Sequence, residues 1–380
     1  MLSREENDLY TRVGPGTPAG EMLRRYWHPI GFAAELKKRP VKRRLLGEDL
    51  VLFRDDAGKL GLLTLRCAHR GTSLEFGHIE DGGLRCCYHG WLYAVDGRVM
   101  EQPGEPPESN FKERVRQRAY KVEELGGVVF AYLGPDPAPL LPRWDVLVRE
   151  DGLRARQGRL VHCNFFQMIE NSVDQHHLKW LHRTSTTPTW DDGEINPQPF
   201  DYGIVNTYTR RVDGKKWAHV NYFVFPTMNK TGNVEEGHPT EHRASSAGEV
   251  MRWRVPVDDA CSMHFTVEFG AARDGEPVKI MEDRSEQGIV DTKQGVYRWD
   301  DSIGWLARAD QDRAAQESQG TIYDRSTEHL GATDKGVILL RRLYRESIEA
   351  VQKGRDPIGV VRDPAKNEIL RLVPHEDLLD

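Results

Sequence analysis

Two short segments of the chain each bring a cysteine and a histidine close together. The first is Cys67-Ala68-His69, and the second is Cys86-Cys87-Tyr88-His89, after a gap of sixteen residues. Two thiolates on one iron and two imidazoles on the other are the ligands of one type of [2Fe–2S] cluster, which has a higher reduction potential than plant-type clusters. The segments therefore predict a centre that holds one electron at moderate potential on four ligands, namely Cys67, His69, Cys86 and His89.

Two other interpretations of these residues are weaker. A zinc site of two cysteines and two histidines uses the same donors, but it usually pairs Cys with Cys and His with His across short spacings. Isolated core residues would not give two such tight motifs. Cys87 offers a second thiol, but only Cys86 leaves two residues before His89. We therefore assign the cluster ligand to Cys86 and expect Cys87 to be a small apolar residue that points elsewhere.

A second group of potential metal ligands lies in a segment that we predict as a helix over roughly 164–182. Asp174 and His177 are three residues apart and share a face of a helix. His177 and His182 are five apart, which separates them by roughly 140°. Both can bind one metal only if His182 lies at or beyond the helix end, or if the helix is distorted, and the helix-breaking stretch after Thr184 is consistent with that. By itself this spacing favours a polar helix face with exposed histidines.

The elements that must position these residues fall into two regions. Residues 40–133 alternate short strands with turns. Leu45–Phe53 and Lys59–Leu65 are predicted as one hairpin, and a second is predicted around Asp96-Gly97. The segment 134–142 contains four prolines and predicts a stiff connector between domains.

Beyond the connector the chain mixes helices and strands. Strands are predicted around 203–225 and 250–271, and a long helix near 303–319. The last helix follows Thr333 and ends near Gly354, with an apolar stripe that predicts core packing: Val337, Leu340, Tyr344, Ile348 and Val351. Near the start of the chain, Thr17 and Pro18 predict an N-cap and first helical residue.

Composition excludes several classes of protein. The 380 residues are too many for one ordinary core and indicate two domains. The net charge of −6 is spread along the chain, and no basic block argues for nucleic acid. The basic run Lys37–Arg44 fits a solvated loop, with a docking surface for an acidic electron-transfer partner as the alternative. No apolar stretch is long enough to span a membrane. A charged N-terminus and an odd number of cysteines, five, favour the cytoplasm and argue against a disulfide framework.

Taken together, the motifs resemble those of the Rieske non-haem iron oxygenase alpha subunits, and more closely their phthalate dioxygenase-like and aryl O-demethylase branch. The resemblance extends over nearly the whole chain, and its motifs are specific in combination. Cys87 departs from the family, which commonly has Pro there. The segments that carry the resemblance are Arg12–Pro18, Arg24–Pro29, Leu46–Val51, Cys67–Gly71, Cys86–Trp91 and Asp324–Leu330.

The resemblance implies an α+β protein with an all-β Rieske [2Fe–2S] domain and a helix-grip-like (START-type) catalytic domain, built from a curved antiparallel sheet and helices. We expect residues 1–38 to be an N-terminal segment that packs on the catalytic domain. Residues 39–134 would then form the Rieske domain, and residues 135–380 the catalytic domain with its mononuclear iron.

The family pattern Asp-x-x-His-x-x-x-x-His matches Asp174, His177 and His182. It implies that both histidines bind a mononuclear Fe(II), and that Asp174 is a bridge between one of them and a cluster histidine of a neighbouring subunit. The family's third iron ligand lies five residues before a Glu in a late helix. That spacing matches Asp312, with Asp310 as the second choice. His176 is expected to be a bystander or to support the ligands from behind.

The implied function is the terminal oxygenase of a system in which a separate ferredoxin or NAD(P)H-dependent reductase supplies electrons. With O₂, the enzyme would hydroxylate, dihydroxylate or demethylate an aromatic substrate, possibly a carboxylated one. Electron transfer between subunits implies a homotrimer. The alternatives are a Rieske-type electron carrier, which leaves the second set of residues without a role, and an oxygenase-like binding protein that has lost activity.

The substrate is the least defined part of the prediction. Gln175 stands where phthalate-type enzymes have a serine that holds a carboxylate. Four arginines could clamp a carboxylate, although an exposed strand face is the commoner place for such residues. They are Arg210, Arg211, Arg252 and Arg254. The stretch Lys230–Gly248 is predicted as a mobile loop that could cover the pocket.

Overall fold

The computed structural model describes residues 2–182, 193–212, 214–232, 248–272, 278 and 280–379. Within these ranges the helices are α1 Arg4–Thr11, α2 Pro18–Leu23, α3 Phe111–Arg114, α4 Asp145–Val148, α5 Phe165–Val173, α6 His177–Trp180, α7 Arg308–Glu317 and α8 Lys335–Gln352. The strands in the first part of the chain are β1 Trp27–Phe32, β2 Val41–Leu45, β3 Glu48–Arg54, β4 Leu60–Thr64, β5 His78–Glu80, β6 Gly83–Arg85, β7 Leu92–Tyr93, β8 Val99–Glu101, β9 Lys121–Leu125 and β10 Val128–Tyr132. The later strands are β11 Gly152–Val161, β12 Ile195–Phe200, β13 Gly203–Val212, β14 Lys215–Val224, β15 Met228–Thr231, β16 Glu249–Pro256, β17 Ser262–Ala271, β18 Ile289–Asp291, β19 Trp299–Asp300, β20 Trp305–Leu306 and β21 His375–Leu378.

The first ten strands form three small antiparallel sheets, ordered β2-β3-β4, β5-β6-β7-β8 and β1-β10-β9. Residues of the first two sheets and of the loops that follow β4 and β6 share an apolar core of their own. That core contains Phe53, Leu63, Leu84 and Tyr93, and it also includes the two buried cysteines of the motifs. A small core of this kind can hold two loops rigidly although each loop has few residues of regular structure.

The second half of the chain is dominated by one large sheet in the order β12-β13-β14-β15-β16-β17-β11-β18, with β21 paired to β14. All its neighbouring strands are antiparallel except β11 and β18, which run parallel. β16 and β17 form a long hairpin, and β17 pairs with all ten residues of β11. These strands therefore form the centre of the sheet, where the backbone is most constrained.

The central strands have an apolar face and a polar face. On the apolar face, Phe265 packs edge-on against Phe32 and Trp253 against Phe130, with ring centroids 5.5 and 6.0 Å apart. This face thus joins the large sheet to the sheet that contains β1 and β10. Alternate residues on the same strands point the other way, into a cavity under helices α5 and α7.

Several predicted helices are confirmed in detail. The Thr17 side chain accepts a hydrogen bond from the Gly20 N–H, and Pro18 begins α2. α8 covers Lys335–Gln352, and the whole predicted apolar stripe is buried. The prediction missed α1, which begins with a reciprocal capping box between Ser3 and Glu6.

Other boundaries were wrong. The predicted helix over 164–182 is two helices, since α5 ends at Val173 and Asp174 is extended. The strand predicted over Leu45–Phe53 is interrupted by a turn in which Leu46 and Gly47 have positive φ angles of 50° and 79°. The helix predicted from 303 begins at Arg308, because β19 and β20 form a small hairpin before it.

Two predicted features lie partly outside the described residues. Thr184 is outside them, and so is most of the proposed pocket loop Lys230–Gly248, namely residues 233–247. Lys230 itself belongs to β15 and is fully buried, where its ammonium group lies 2.6 Å from Asp145 and 2.7 Å from Glu249. The basic run is also partly neutralised within the chain, since Arg43 pairs with Glu35 and Arg44 with Asp49.

The division of the chain at residues 38/39 and 134/135 stays a prediction. β1, which precedes the first boundary, pairs with β10 and so belongs to the same sheet as strands of the predicted cluster domain. Among the described helices, none combines the length and the apolar character needed to cross a bilayer.

Candidate cluster and iron sites

The two cysteine-histidine motifs lie in two loops with the same backbone design. In the first, the Gly71 N–H donates to the Cys67 carbonyl at 2.8 Å; in the second, the Gly90 N–H donates to the Cys86 carbonyl at 3.0 Å. Both glycines have positive φ angles, 74° and 72°, which side chains strongly disfavour. Each loop therefore turns back on itself four residues after its cysteine.

The four predicted cluster ligands face one another in like pairs. Cys67 and Cys86 are both buried and belong to the same small apolar core. The rings of His69 and His89 lie nearer the surface, with centroids 4.6 Å apart. Cys87 is exposed, which fits its exclusion as a ligand but not the expectation of an apolar packing residue. Two thiols together and two imidazoles together match the donor set that a [2Fe–2S] cluster of mixed ligation requires.

Three supporting residues in this region were not identified from the sequence. The Tyr93 hydroxyl lies 3.0 Å from Cys67 Sγ, and the Trp91 ring stacks on His69 at 4.6 Å. The buried Gln117 amide accepts from the Ala68 N–H and donates to the Thr64 and Arg66 carbonyls. These contacts fix the first loop from three sides. Trp91 and Tyr93 lie close to the second motif in sequence, whereas nothing local points to Gln117.

The second set of residues is positioned by the end of α5. The Asp174 N–H still bonds to the Glu170 and Asn171 carbonyls, but its own backbone is extended and the chain turns away. One Asp174 oxygen accepts from the His176 N–H at 2.8 Å, which starts the short helix α6. His177 is the first residue of α6, and His182 follows its end. Because α6 ends at Trp180, before His182, the angle that one continuous helix would impose on the two histidines does not apply.

His177, His182 and Asp312 converge. One ligand atom from each lies within 4.8 Å of the others. Asp312 Oδ1 is 3.2 Å from His182 Nε2 and 3.7 Å from His177 Nε2. Burial would raise the pKa of Asp312, but the two histidines outweigh it and hold that pKa well below its usual range. Asp310 points elsewhere, because it binds Arg298 at 2.9 Å.

The groups behind the two histidines differ. Asp174 Oδ2 is 3.5 Å from His177 Nδ1, whereas His182 Nδ1 is 2.7 Å from the amide oxygen of Gln311. Burial disfavours a charge on His177, but Asp174 and Asp312 outweigh burial and raise its pKa. The His176 ring is not part of this group, since its Nε2 accepts a hydrogen bond from Trp180.

The converging residues fit a mononuclear iron. Asp312 Oδ1 is buried and has no hydrogen-bond donor among the described residues, although two ring nitrogens face it. A buried carboxylate oxygen that faces two ring nitrogens is suited to bind a cation. Two imidazoles and one carboxylate are the donor set of the facial triad, which leaves further coordination positions of Fe(II) open.

The same three residues lie at the wall of a cavity of about 740 Å³. Its other side is the polar face of the large sheet, which contributes Arg159, Arg252, Arg254, His264 and Glu268. The cavity is therefore large enough for a ligand of two aromatic rings, since ligand pockets span roughly 300–1,000 Å³. The sequence left open whether Arg252 and Arg254 lie in the pocket or on an exposed strand face, and both line the cavity.

The three arginines on the sheet side of the cavity have no carboxylate partner within ion-pair distance among the described residues. Arg252 donates to the Thr231 hydroxyl at 2.7 Å, and Arg254 donates to the Asn229 side chain and the Arg252 carbonyl. Among the residues that the structure describes, Arg159 donates a hydrogen bond only to the Ala309 carbonyl, at 3.4 Å. Burial, and then the neighbouring Arg252, lower the pKa of Arg254 to about 9.

Two further orphaned groups border the same region. Arg254 Nε and His264 Nε2 are buried without a hydrogen-bond partner among the described residues. Burial first, and then Arg254, lower the pKa of His264 well below its usual value, so this histidine is neutral. Gln175, which replaces the expected serine, bonds instead to Asn221 at 3.1 Å. Arg210 and Arg211 are not among the described residues that line the cavity.

Comparison with known proteins identifies the class. Residues 26–121 match the family model described as the Rieske [2Fe-2S] domain. The chain is 38% identical to the 5,5'-dehydrodivanillate O-demethylase oxygenase subunit of Sphingobium sp. (strain NBRC 103272 / SYK-6), over 98% of this chain and 86% of the relative. It is 37% identical to the phenoxybenzoate dioxygenase subunit alpha of Ectopseudomonas oleovorans, over 92% and 86%.

A solved structure shows the same fold. The carbazole-bound oxygenase in the oxygenase–ferredoxin complex of carbazole 1,9a-dioxygenase matches with a TM-score of 0.63 and 19% identity, over 98% of this chain and 99% of that one. The chain thus belongs to the oxygenase alpha subunits of the Rieske non-haem iron oxygenases, as the motifs predicted. It is an oxidoreductase of α+β fold, and members of this family use a Rieske [2Fe–2S] cluster and a mononuclear iron.

The paired cysteines allow a direct test of the cluster ligands. We expect Cys86→Ser to abolish the visible absorption of the cluster and to lower the iron content by about two irons per chain, because a buried thiolate ligand is lost. Cys87→Ser is the matched control and should retain both, since the Cys87 side chain is exposed. Iron analysis and visible spectra of both purified variants measure this, and the assignment fails if Cys87→Ser loses the cluster while Cys86→Ser keeps it.

Proposed function

We propose that this oxygenase oxidises an aromatic substrate that carries a carboxylate. The observation that supports the proposal is the set of Arg159, Arg252 and Arg254 facing the cavity without carboxylate partners. Buried charges without partners are costly, and their cost is offset when a ligand of opposite charge binds. A guanidinium can bind both oxygens of a carboxylate at once, which also fixes the orientation of the ring.

The size of the cavity and the relatives support the same class of substrate. A volume of about 740 Å³ exceeds what a single benzene ring needs. The two curated relatives described above are named for dehydrodivanillate and phenoxybenzoate, both aromatic acids with two rings. We therefore propose a biaryl or similarly large aromatic acid, with its acid group at the arginines and its reacting carbon toward His177, His182 and Asp312.

We propose that His177, His182 and Asp312 hold the mononuclear iron, and that Cys67, His69, Cys86 and His89 hold the cluster. When bound, these groups supply single electrons and the redox chemistry with O₂. The protein's own residues orient the imidazoles, keep Asp312 ionised and hold the aromatic acid in one position. Asp174 is proposed to orient His177 and to accept a contact from a cluster histidine of a neighbouring subunit.

We propose that the electron passes between neighbouring subunits, because the cluster histidines and Asp174 are both accessible at the surface. His69 and His89 lie at the edge of their domain beside Tyr88, whose ring is 58% exposed. The Asp174 side chain is 27% exposed. A head-to-tail ring, which we propose to be a homotrimer, would bring such surfaces together in every subunit.

We propose a separate ferredoxin or NAD(P)H-dependent reductase as the electron donor. The matching carbazole dioxygenase structure is itself a complex of an oxygenase with a ferredoxin. A cytoplasmic location is proposed with it, because that compartment maintains reduced nicotinamide cofactors and thiols, and all five cysteines of the chain are free.

The iron ligands can be tested by two neighbouring aspartates. We expect Asp312→Ala to lose the mononuclear metal, so that iron falls from about three to about two per chain, while the cluster absorption remains. Asp310→Asn should keep about three irons, since that residue pairs with Arg298 and not with the histidines. Substrate oxidation should disappear only in Asp312→Ala. Full iron content or turnover in Asp312→Ala would disprove the proposed ligand set.

The reaction class can be determined from products. The enzyme, reduced through a surrogate reductase and supplied with O₂, is given methoxylated and carboxylated aromatics with one or two rings. We expect turnover of acids with two rings and little turnover of their neutral analogues. Formaldehyde release identifies demethylation, and a cis-diol identifies dioxygenation. A preference for neutral compounds would contradict the proposed substrate class.

The role of Arg254 can be tested by changing this residue and the charge of the substrate separately and together. With an accepted aromatic acid, Arg254→Met should raise KM by roughly 10- to 100-fold, the value of one hydrogen bond between charged groups. With the methyl ester of the same acid, the variant and the wild type should have similar KM values, because the charge has been removed from the ligand. Equal effects of the variant on acid and ester would show that Arg254 does not contact the carboxylate.

A further inference from the structure

We propose that Gln311 is a positioning residue that fixes the tautomer of His182, so that the lone pair of Nε2 faces the metal position. This inference rests on the proposed ligand set. Gln311 immediately precedes Asp312 on α7 and is fully buried. No sequence motif pointed to it, because glutamine is not an iron ligand and buried glutamines usually have only structural roles.

The orientation of the Gln311 amide follows from its two contacts. Gln311 Nε2 lies 2.8 Å from the Leu306 carbonyl oxygen, and Oε1 lies 2.7 Å from His182 Nδ1. A carbonyl oxygen only accepts hydrogen bonds, so the NH₂ group of the amide must face Leu306. The amide oxygen must then face His182, and it too only accepts. The ambiguity between nitrogen and oxygen that usually affects an amide is therefore removed.

The orientation of the amide determines where the His182 proton resides. Because Oε1 only accepts, His182 Nδ1 must carry the proton and donate it. In the neutral ring, Nε2 is then unprotonated. That nitrogen is 3.2 Å from Asp312 Oδ1 and points into the group of converging ligands. A metal-binding imidazole needs this tautomer, since a proton on Nε2 would block coordination.

The Leu306 carbonyl is itself held in place. Leu306 ends β20, which pairs with Trp299 in β19, and the Ala307 N–H donates to the Arg298 carbonyl at 2.9 Å. Asp310 accepts from both the main chain and the side chain of Arg298. The β19–β20 hairpin and the start of α7 thus hold each other in place. Gln311, which is fixed by this unit, in turn holds the His182 ring.

The two histidines are consequently supported by groups of different charge. His177 has the carboxylate of Asp174 behind it, whereas His182 has a neutral amide. A carboxylate makes the imidazole a stronger donor to the metal, while an amide fixes its orientation without adding charge. Asp312 then remains the one negative ligand, and the remaining positive charge of the site faces the anionic substrate.

The test measures metal binding in protein that retains its cluster. The mononuclear iron is removed with a mild chelator, and the site is titrated anaerobically with Co(II), whose visible bands report ligand number and geometry. We expect Gln311→Leu to weaken Co(II) binding by roughly 10- to 100-fold, the usual effect of losing a group that orients a ligand. The visible bands of Co(II) bound to this variant should also change, because His182 is no longer held in the correct tautomer.

Two further variants separate positioning from general damage to the fold. Gln311→Glu keeps an acceptor oxygen for His182 Nδ1, so it should preserve the tautomer and bind Co(II) clearly more tightly than Gln311→Leu, although it loses the donor to the Leu306 carbonyl and adds a charge. Gln316→Leu removes another buried glutamine side chain from α7, and its Co(II) affinity should be unchanged. The cluster absorption and melting temperature of each variant check the fold independently.

Wild-type affinity and bands in Gln311→Leu would overturn the inference, and so would an equal loss in Gln311→Glu and Gln311→Leu. Asp312→Ala distinguishes this failure from failure of the proposed function. If Asp312→Ala still binds Co(II) normally, the ligand set is wrong. If it loses Co(II) while Gln311→Leu does not, only the role of Gln311 is wrong.

Discussion

The chemistry of this protein depends on where two helices end. α5 stops at Val173, and the Asp174 side chain accepts a hydrogen bond from the His176 N–H, which starts α6. α6 in turn stops at Trp180, so His182 lies beyond its end. If α6 continued through residue 182, His177 and His182 would point about 140° apart on one cylinder. Instead, they meet Asp312 of α7, which is distant in sequence. Helix ends and a short connecting turn therefore bring together three side chains that no single helix or strand could bring together.

The second constraint is electrostatic, and it acts across the cavity. The cavity has Asp312 on the side of α7 and three guanidinium groups on the sheet side. Burial, and then the charge of Arg252, lower the pKa of Arg254, and within the described residues the three arginines form hydrogen bonds only to neutral groups. An anionic ligand would offset these positive charges at the same time as it fills the space. Substrate binding and charge balance are then one event in the proposed function.

The sequence identified the cluster motifs, the family and the last helix because these features depend on spacing along the chain. It preferred Asp312 to Asp310 only by the family pattern, and the physical reason is the pairing of Asp310 with Arg298. It could not place Arg252 and Arg254, since polar residues that alternate on a strand look the same whether they face water or a polar cavity. It missed Gln311 because a contact between residues 182 and 311 has no local signature. The break at Asp174 was also missed, since neither proline nor glycine marks it.

Adjacent residues of the large sheet have two different roles, because one face packs against other strands and the opposite face lines the cavity. On β16 and β17, Trp253 and Phe265 attach the sheet to β10 and β1, whereas Arg252, Arg254 and His264 face the cavity. A change at an inward position alters which molecule fits and leaves the joint between the domains intact. One scaffold can thereby acquire new substrates one residue at a time, and the relatives of this chain include one named as an O-demethylase subunit and one named as a dioxygenase subunit.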